Sequence, residues 1–232
     1  RLPELKKKLL WTFLLVAVYR IGVHVPVPGV DSAALADFFE SAKNTLFGLF
    51  DMFSGGGLRN LSIFALGIMP YISASIIIQL LTVVSPELAK MQKEEGAAGK
   101  KKITQYTRYG TVLITCIQGF GIAVGLESMA SPTGAPVVLM PGWGFRLMTI
   151  ITLCAGTVFL MWLGEQLTEK GIGNGISLII YAGIVAGLPR AVLSTFDLLK
   201  AGELSPLKLI LIVALMLAVL AAIVFKIGRA HV

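Results

Sequence analysis

Gly171, Gly173 and Gly175 fall at every second position, the first spacing in this 232-residue chain that could serve chemistry, since glycine-rich turns cradle phosphate. Their context refuses that role. No strand pattern precedes them, the dinucleotide spacing is not met, and no Gly-Lys-Ser/Thr follows, so they read as a tight turn. Cys116 and Cys154 are the only cysteines, and both lie in apolar runs, where a thiol behaves as a small apolar group. His24 and His231 are isolated, so no His/Cys/Asp set has metal-ligand spacing. No serine or cysteine has a base near it in sequence. The residues imply no catalytic group, no metal and no cofactor.

The apolar runs offer paired isoleucines instead. Ile68 and Ile72 stand at i and i+4 around Gly67 and Pro70, and Ile176 and Ile180 repeat that spacing just after the glycine turn. On a helix, such pairs share a face. Pro70 lacks a backbone donor, so the helix is kinked or broken there. A break at membrane depth is tolerated where the freed groups meet protein or water, which hints at a cavity. Ordinary packing is the other reading of both pairs. Ser73, Ser75 and Gln79 follow, and the Gln79 amide could make a helix–helix hydrogen bond worth about 1 kcal/mol or less.

The elements that must carry these residues are set by composition. The chain is 56% hydrophobic and 14% charged, with a mean hydropathy of +0.82. A soluble domain carries about a quarter charged residues, so too little polar surface is available for water. The same numbers exclude disorder, and two cysteines exclude a disulfide scaffold. Crossing a bilayer takes about 20 apolar residues as a helix. Six runs qualify: 9–30, interrupted by Arg20 and His24, then 60–86, 109–126, 147–164, 171–189 and 209–225. None alternates polar and apolar as a barrel strand would, so all are expected as helices. Lys6, Lys7 and Lys8 before the first run suggest a signal peptide, but Val25-Pro26-Val27-Pro28-Gly29 offers no small-x-small cleavage site. The run is therefore expected to be retained. A start at Arg1 rather than Met implies a missing N-terminal piece. Thirteen of the 20 Lys and Arg fall on the side that carries both ends of the chain, which predicts cytoplasmic termini.

Two connecting segments carry patterns of their own. Leu35, Phe39, Ala42, Leu46, Leu49 and Phe53 repeat at threes and fours, one face of a helix lying on the membrane surface. Alternatively, Gly55-Gly56-Gly57 is a hinge joining an apolar half-helix to the second span. Residues 87–108 read as a basic loop with a flexible tip at Gly96-Ala97-Ala98-Gly99, presenting Lys100, Lys101, Lys102 and Arg108 to anionic lipid or to an acidic or RNA-bearing partner.

Several strings together resemble the SecY family of protein-conducting channels. They are Arg20-Ile21-Gly22 with Pro26-Val27-Pro28-Gly29; Met52-Phe53-Ser54-Gly55-Gly56; the run from Ile63 to Leu81; Gln105-Tyr106-Thr107-Arg108-Tyr109-Gly110; Trp162-Leu163-Gly164-Glu165-Gln166; and Gly171-Ile172-Gly173-Asn174-Gly175-Ile176-Ser177. Their order and spacing extend from near residue 3 to about residue 225.

The resemblance implies an all-α membrane protein: six transmembrane helices of a ten-helix fold, with a short re-entrant plug. Residues 1–206 would be the N-terminal half, 207–225 the sixth helix, and 226–232 a truncation or foreign junction. The plug would lie near 50–62, with Phe53, Ser54, Gly55 and Gly56. Ile68, Ile72, Ile176 and Ile180 fall at pore-ring positions, where a hydrophobic collar excludes ions by dewetting and seals around a passing chain. Gln79 would lie on the lateral gate and set its hydrophobicity threshold, and Lys100 to Lys102 with Arg108 on the docking face for the ATPase SecA or a ribosome. The implied membrane partners are SecE and SecG, and the implied cargo is signal peptides and nascent polypeptides, released sideways into lipid at a bacterial plasma membrane. Half a channel alone is not expected to conduct or gate. Two rivals remain. Half of a secondary transporter would need a central charged site, which spans two to six lack. A non-conducting scaffold would tolerate polar residues in place of the isoleucines.

Overall fold

The computed structural model describes residues 2–41, 54–93, 96–129, 134, 136–202 and 205–229. Among these, helices are α1 (Leu2–Gly22), α2 (Ser32–Ser41), α3 (Met69–Val84), α4 (Pro86–Lys93), α5 (Gly96–Ser128), α6 (Trp143–Lys170), α7 (Gly175–Lys200) and α8 (Pro206–Arg229). The only strand-like pairings among the described residues are two isolated bridges, Pro26 with Ser62 and Val30 with Val138. Residues 42–53, with Ala42, Leu46, Leu49 and Phe53, lie outside the described residues, as does the end of the 226–232 tail.

The first span is shorter than its apolar run. α1 stops at Gly22 rather than continuing to residue 30, because Pro26 and Pro28 cannot donate to a helix and push their predecessors to extended backbone. The second span is also shorter. Residues 54–68 form a chain of turns, and helix begins only at Met69 with Pro70 in its first turn. There the missing N–H leaves no bond unmade, so the proline starts this helix rather than kinking it.

The basic loop expected at 87–108 is helix instead. Pro86 opens α4, and Lys100, Lys101, Lys102 and Arg108 lie along the exposed first turns of α5. Lys, Gln and Ala are good helix formers, and a single Gly99 does not offset them. α2 corrects a second expectation. Asp31 caps it, accepting from Ala33 and Ala34 N–H at 2.9 and 3.2 Å. Its apolar face, with Leu35 fully buried and Phe39 nearly so, packs on protein and not on lipid. Val27, Leu61, Ala65, Ala123, Val137 and Phe145 share that core.

The long helices pack through small residues. Thr107, Thr111, Thr115, Gly119 and Ala123 recur every four positions on α5 and are buried. Each threonine hydroxyl bonds the carbonyl one turn back, at 2.7 to 3.0 Å, so the stripe presents no unsatisfied donor. Packed against α5, α6 buries Leu153 in the core with Ala123, while Leu160, Leu163 and Leu167 join the cluster of Leu15 and Tyr19 of α1. α5 from Ala98, α6, α7 and α8 as far as Ile227 are long and apolar enough to cross a membrane; α3 is a shorter apolar helix.

The chain forms two compact units, Arg1–Ala186 and Gly187–Val232. In the second, α8 is exposed along its length and apolar on every face, as a helix surrounded by lipid would be. In the first, three non-helical segments are joined backbone to backbone. Val27 N–H donates to Leu61 O at 2.8 Å, Ile63 N–H to Val25 O at 3.0 Å, and Asp31 N–H to Val137 O at 2.9 Å. Irregular backbone in a membrane protein needs such partners, because hydrocarbon supplies none.

Candidate functional site

The turn at Ser54–Gly57 is built locally. Ser54 Oγ accepts from Leu58 N–H at 3.1 Å, Gly57 N–H donates to Ser54 O at 3.3 Å, and Ser62 N–H to Gly57 O at 2.8 Å. Gly55 has φ +68°, a conformation that costs other residues steric strain. Ser54 itself is buried, at 3% exposure.

Two consecutive residues of α1 reach this turn. Tyr19 Oη donates to the Ser54 carbonyl at 3.3 Å, and Arg20 Nη1 to the Gly55 carbonyl at 3.0 Å. On another side lies Gly183 of α7. A Cβ on Gly55 would stand 2.8 Å from Tyr19 Oη and 2.9 Å from Gly183 Cα, so glycine is required for this approach. Tyr19 also stacks on Phe64, and Phe64 on Phe159 of α6, with centroids 6.2 and 5.9 Å apart. A cavity of about 410 Å³ opens beside the turn, lined by Ser54, Leu61, Met69, Ser73 and Gln118 among others.

The four isoleucines converge here. Ile68, which caps α3, is buried in one hydrophobic cluster with Leu15, Tyr19, Phe64, Leu160 and Ile179. Ile72, Ile176 and Ile180 are half-buried and pack against that same cluster. Ile72 N–H bonds Ile68 O at 3.1 Å, which keeps the first pair one turn apart. The second pair is set by the glycine turn. Asn174 caps α7, its Oδ1 accepting from Ile176 and Ser177 N–H at 3.0 and 3.3 Å. Ile172 N–H bonds Thr12 Oγ1 at 3.1 Å, which ties that turn to α1.

Gln79 is exposed on α3 and donates to Ser75 Oγ at 3.2 Å, within its own helix. Lys100, Lys101 and Lys102 are exposed on α5. Arg108 is engaged with Glu165 of α6. Among the described residues no group of His, Cys, Asp and Glu could hold a metal ion. Sequence reasoning assigned no role to Tyr19, Arg20 or Gly183. A lone arginine inside an apolar run was the available signal, since such a charge must find a partner.

A family model described as SecY matches residues 62–230. The protein translocase subunit SecY of Escherichia coli (strain K12) is 53% identical over 224 residues, 97% of this chain and 50% of that protein. The subunit of the same name from Aquifex aeolicus (strain VF5) is 50% identical over 214 residues, 92% of this chain and 50% of that one. This chain therefore spans about half the length of these relatives. A structure described as a protein conducting channel aligns with a TM-score of 0.52 at 22% identity, over 77% of this chain and 36% of the other. A SecY structure reported for its plug domain, which stabilises the closed state and maintains a membrane seal in that protein, aligns with a TM-score of 0.54 at 23% identity over 79% of this chain and 36% of the other. These two likenesses bear on the fold.

Proposed function

Since the chain belongs to the SecY family, we propose that it supplies residues 1–206 as the N-terminal half, and 207–225 as the sixth helix, of the pore subunit of a bacterial Sec translocon. The subunit sits in the plasma membrane as a multi-pass protein with its N-terminus in the cytoplasm. It passes unfolded polypeptides and releases apolar segments sideways into lipid. The observation that carries this reading is the convergence of Ile68, Ile72, Ile176 and Ile180 on one apolar cluster beside the Ser54–Gly57 turn. Bulky aliphatic side chains exclude hydrated ions and offer a passing chain no hydrogen bonds, so they close a pore without selecting a sequence. The turn is the described part of the plug, Gln79 belongs to the lateral gate, and the lysines of α5 lie on the face that meets SecA or a ribosome. SecE and SecG are the membrane partners. No step is catalytic; the driving energy is the partner's.

The test uses the full-length subunit carrying this sequence, reconstituted with SecE and SecG in a planar bilayer. Ile68, Ile72, Ile176 and Ile180 are changed to Ser, and single-channel conductance is recorded without cargo. A resting leak absent from the unmutated assembly is expected. A tight bilayer with the assembly intact makes these isoleucines packing residues and overturns the collar.

A further inference from the structure

We propose that Tyr19 and Arg20 are positioning residues that clasp the Ser54–Gly55 turn, and that Gly183 is the seat against which the turn closes. The proposal rests on the plug reading above and names what keeps the plug in place. Adjacent side chains on α1 reach adjacent carbonyls, Tyr19 to Ser54 and Arg20 to Gly55. A guanidinium in an apolar helix is costly unless its donors are satisfied, and here a carbonyl of the turn satisfies one of them. Among the described residues, the Arg20 side chain donates to that carbonyl and to no carboxylate. A neutral acceptor holds a guanidinium less tightly than a carboxylate does, which suits a contact that must open.

The geometry on the far side agrees. Gly55 and Gly183 meet without a side chain between them, and a Cβ on Gly183 would lie 3.1 Å from Tyr19 Oη and 3.4 Å from Gly55 Cα. That contact contains no hydrogen bond to break. The bonds of Ser54 with Gly57 and Leu58 join the turn to itself. Unseating the turn from α1 breaks the Tyr19 and Arg20 bonds, while the Ser62 N–H to Gly57 O bond can stay as its tether.

The experiment is the resting ion conductance of the full-length, reconstituted subunit, with the amount of assembled complex measured in parallel. Arg20→Met and Tyr19→Phe should each raise the unseated population, and with it the resting leak, by about tenfold, the effect of one lost hydrogen bond. Arg20→Lys, which keeps a donor, should restore most of the seal. Gly183→Leu removes no bond but fills the seat, and should leak as well. Assembly at normal levels with a leak in these variants supports the clasp. If they assemble and stay tight while the four isoleucine-to-serine changes leak, the clasp is overturned and the channel reading stands. If the isoleucine variant is tight too, the channel reading falls and the clasp with it. Loss of assembled complex without any leak, in Arg20→Met and Gly183→Leu alike, assigns these residues to folding and also overturns the clasp.

Discussion

Arg108 on α5 grips Glu165 on α6 with two nitrogens: Nη2 lies 2.7 Å from one carboxylate oxygen and 2.8 Å from the other, and Nε donates at 3.1 Å. This two-pronged geometry is the strong form of an ion pair. Water still reaches both side chains, which are 45% and 27% exposed. Screening therefore limits its worth to about 0.5–1 kcal/mol. A double-mutant cycle of Arg108→Gln and Glu165→Gln, read by thermal unfolding in detergent, should give a coupling of that size that shrinks as salt rises. A coupling independent of salt would mean that the pair is shielded in the folded protein.

Gly156 of α6 lies so close to the 54–68 turns that an added Cβ would collide with the Ile63 carbonyl oxygen. Backbone cannot rotate aside as a flexible side chain can. Gly156→Ala should destabilise the protein by about 2–4 kcal/mol. Gly121 on α5 is the control, since nothing lies within 4 Å of its added Cβ. Gly121→Ala should be neutral or stabilising by up to about 1 kcal/mol. Equal losses in the two unfolding curves would contradict the packing described here.

Thr149 is fully buried on α6, and its hydroxyl has no hydrogen-bond partner among the described residues. Valine has nearly the same shape and no polar atom to desolvate. Thr149→Val should leave stability unchanged or raise it by up to about 1 kcal/mol. A marked fall in the unfolding midpoint would reveal a partner for this hydroxyl.

On the gate proposal, Gln79 is a polar group in a seam that opens to lipid. Gln79→Leu makes the closed seam more apolar, so an entering segment must itself be more apolar to displace it. Insertion of a graded series of test segments, scored by fraction membrane-integrated, should shift its midpoint toward more hydrophobic segments. An unchanged midpoint removes Gln79 from the gate.

The helical, multi-span character was legible because uncharged apolar runs of sufficient length have few other folds open to them. α5, α6 and α8 cover the expected runs at 109–126, 147–164 and 209–225, and α7 begins at Gly175, four residues into the run at 171–189. Boundaries were less legible. Pro70 announced a break, but whether a proline kinks a helix or begins one depends on whether the preceding turn is helical, and 54–68 is not. The lysines at 100–102 looked like a loop because charge and glycine suggest one, while the helix propensity of their neighbours prevailed. The apolar face of α2 had the right period, yet period alone does not distinguish protein from lipid as the surface it covers. The contacts of Tyr19 and Arg20 were the least legible of all. Their acceptors are backbone carbonyls 35 residues away, and a carbonyl leaves no mark in a sequence.

The backbone stitching of 25–27 to 61–63 has a mechanical consequence. The stretch just ahead of α3 is anchored to the end of α1, and Ile63 is pressed against Gly156 of α6. α3 itself starts only at Met69. Between this mount and the helix, Phe64 is stacked on Tyr19 and Phe159 and Ile68 is buried, so residues 64–68 form a stiff bracket that passes a tilt of α3 on to the mount.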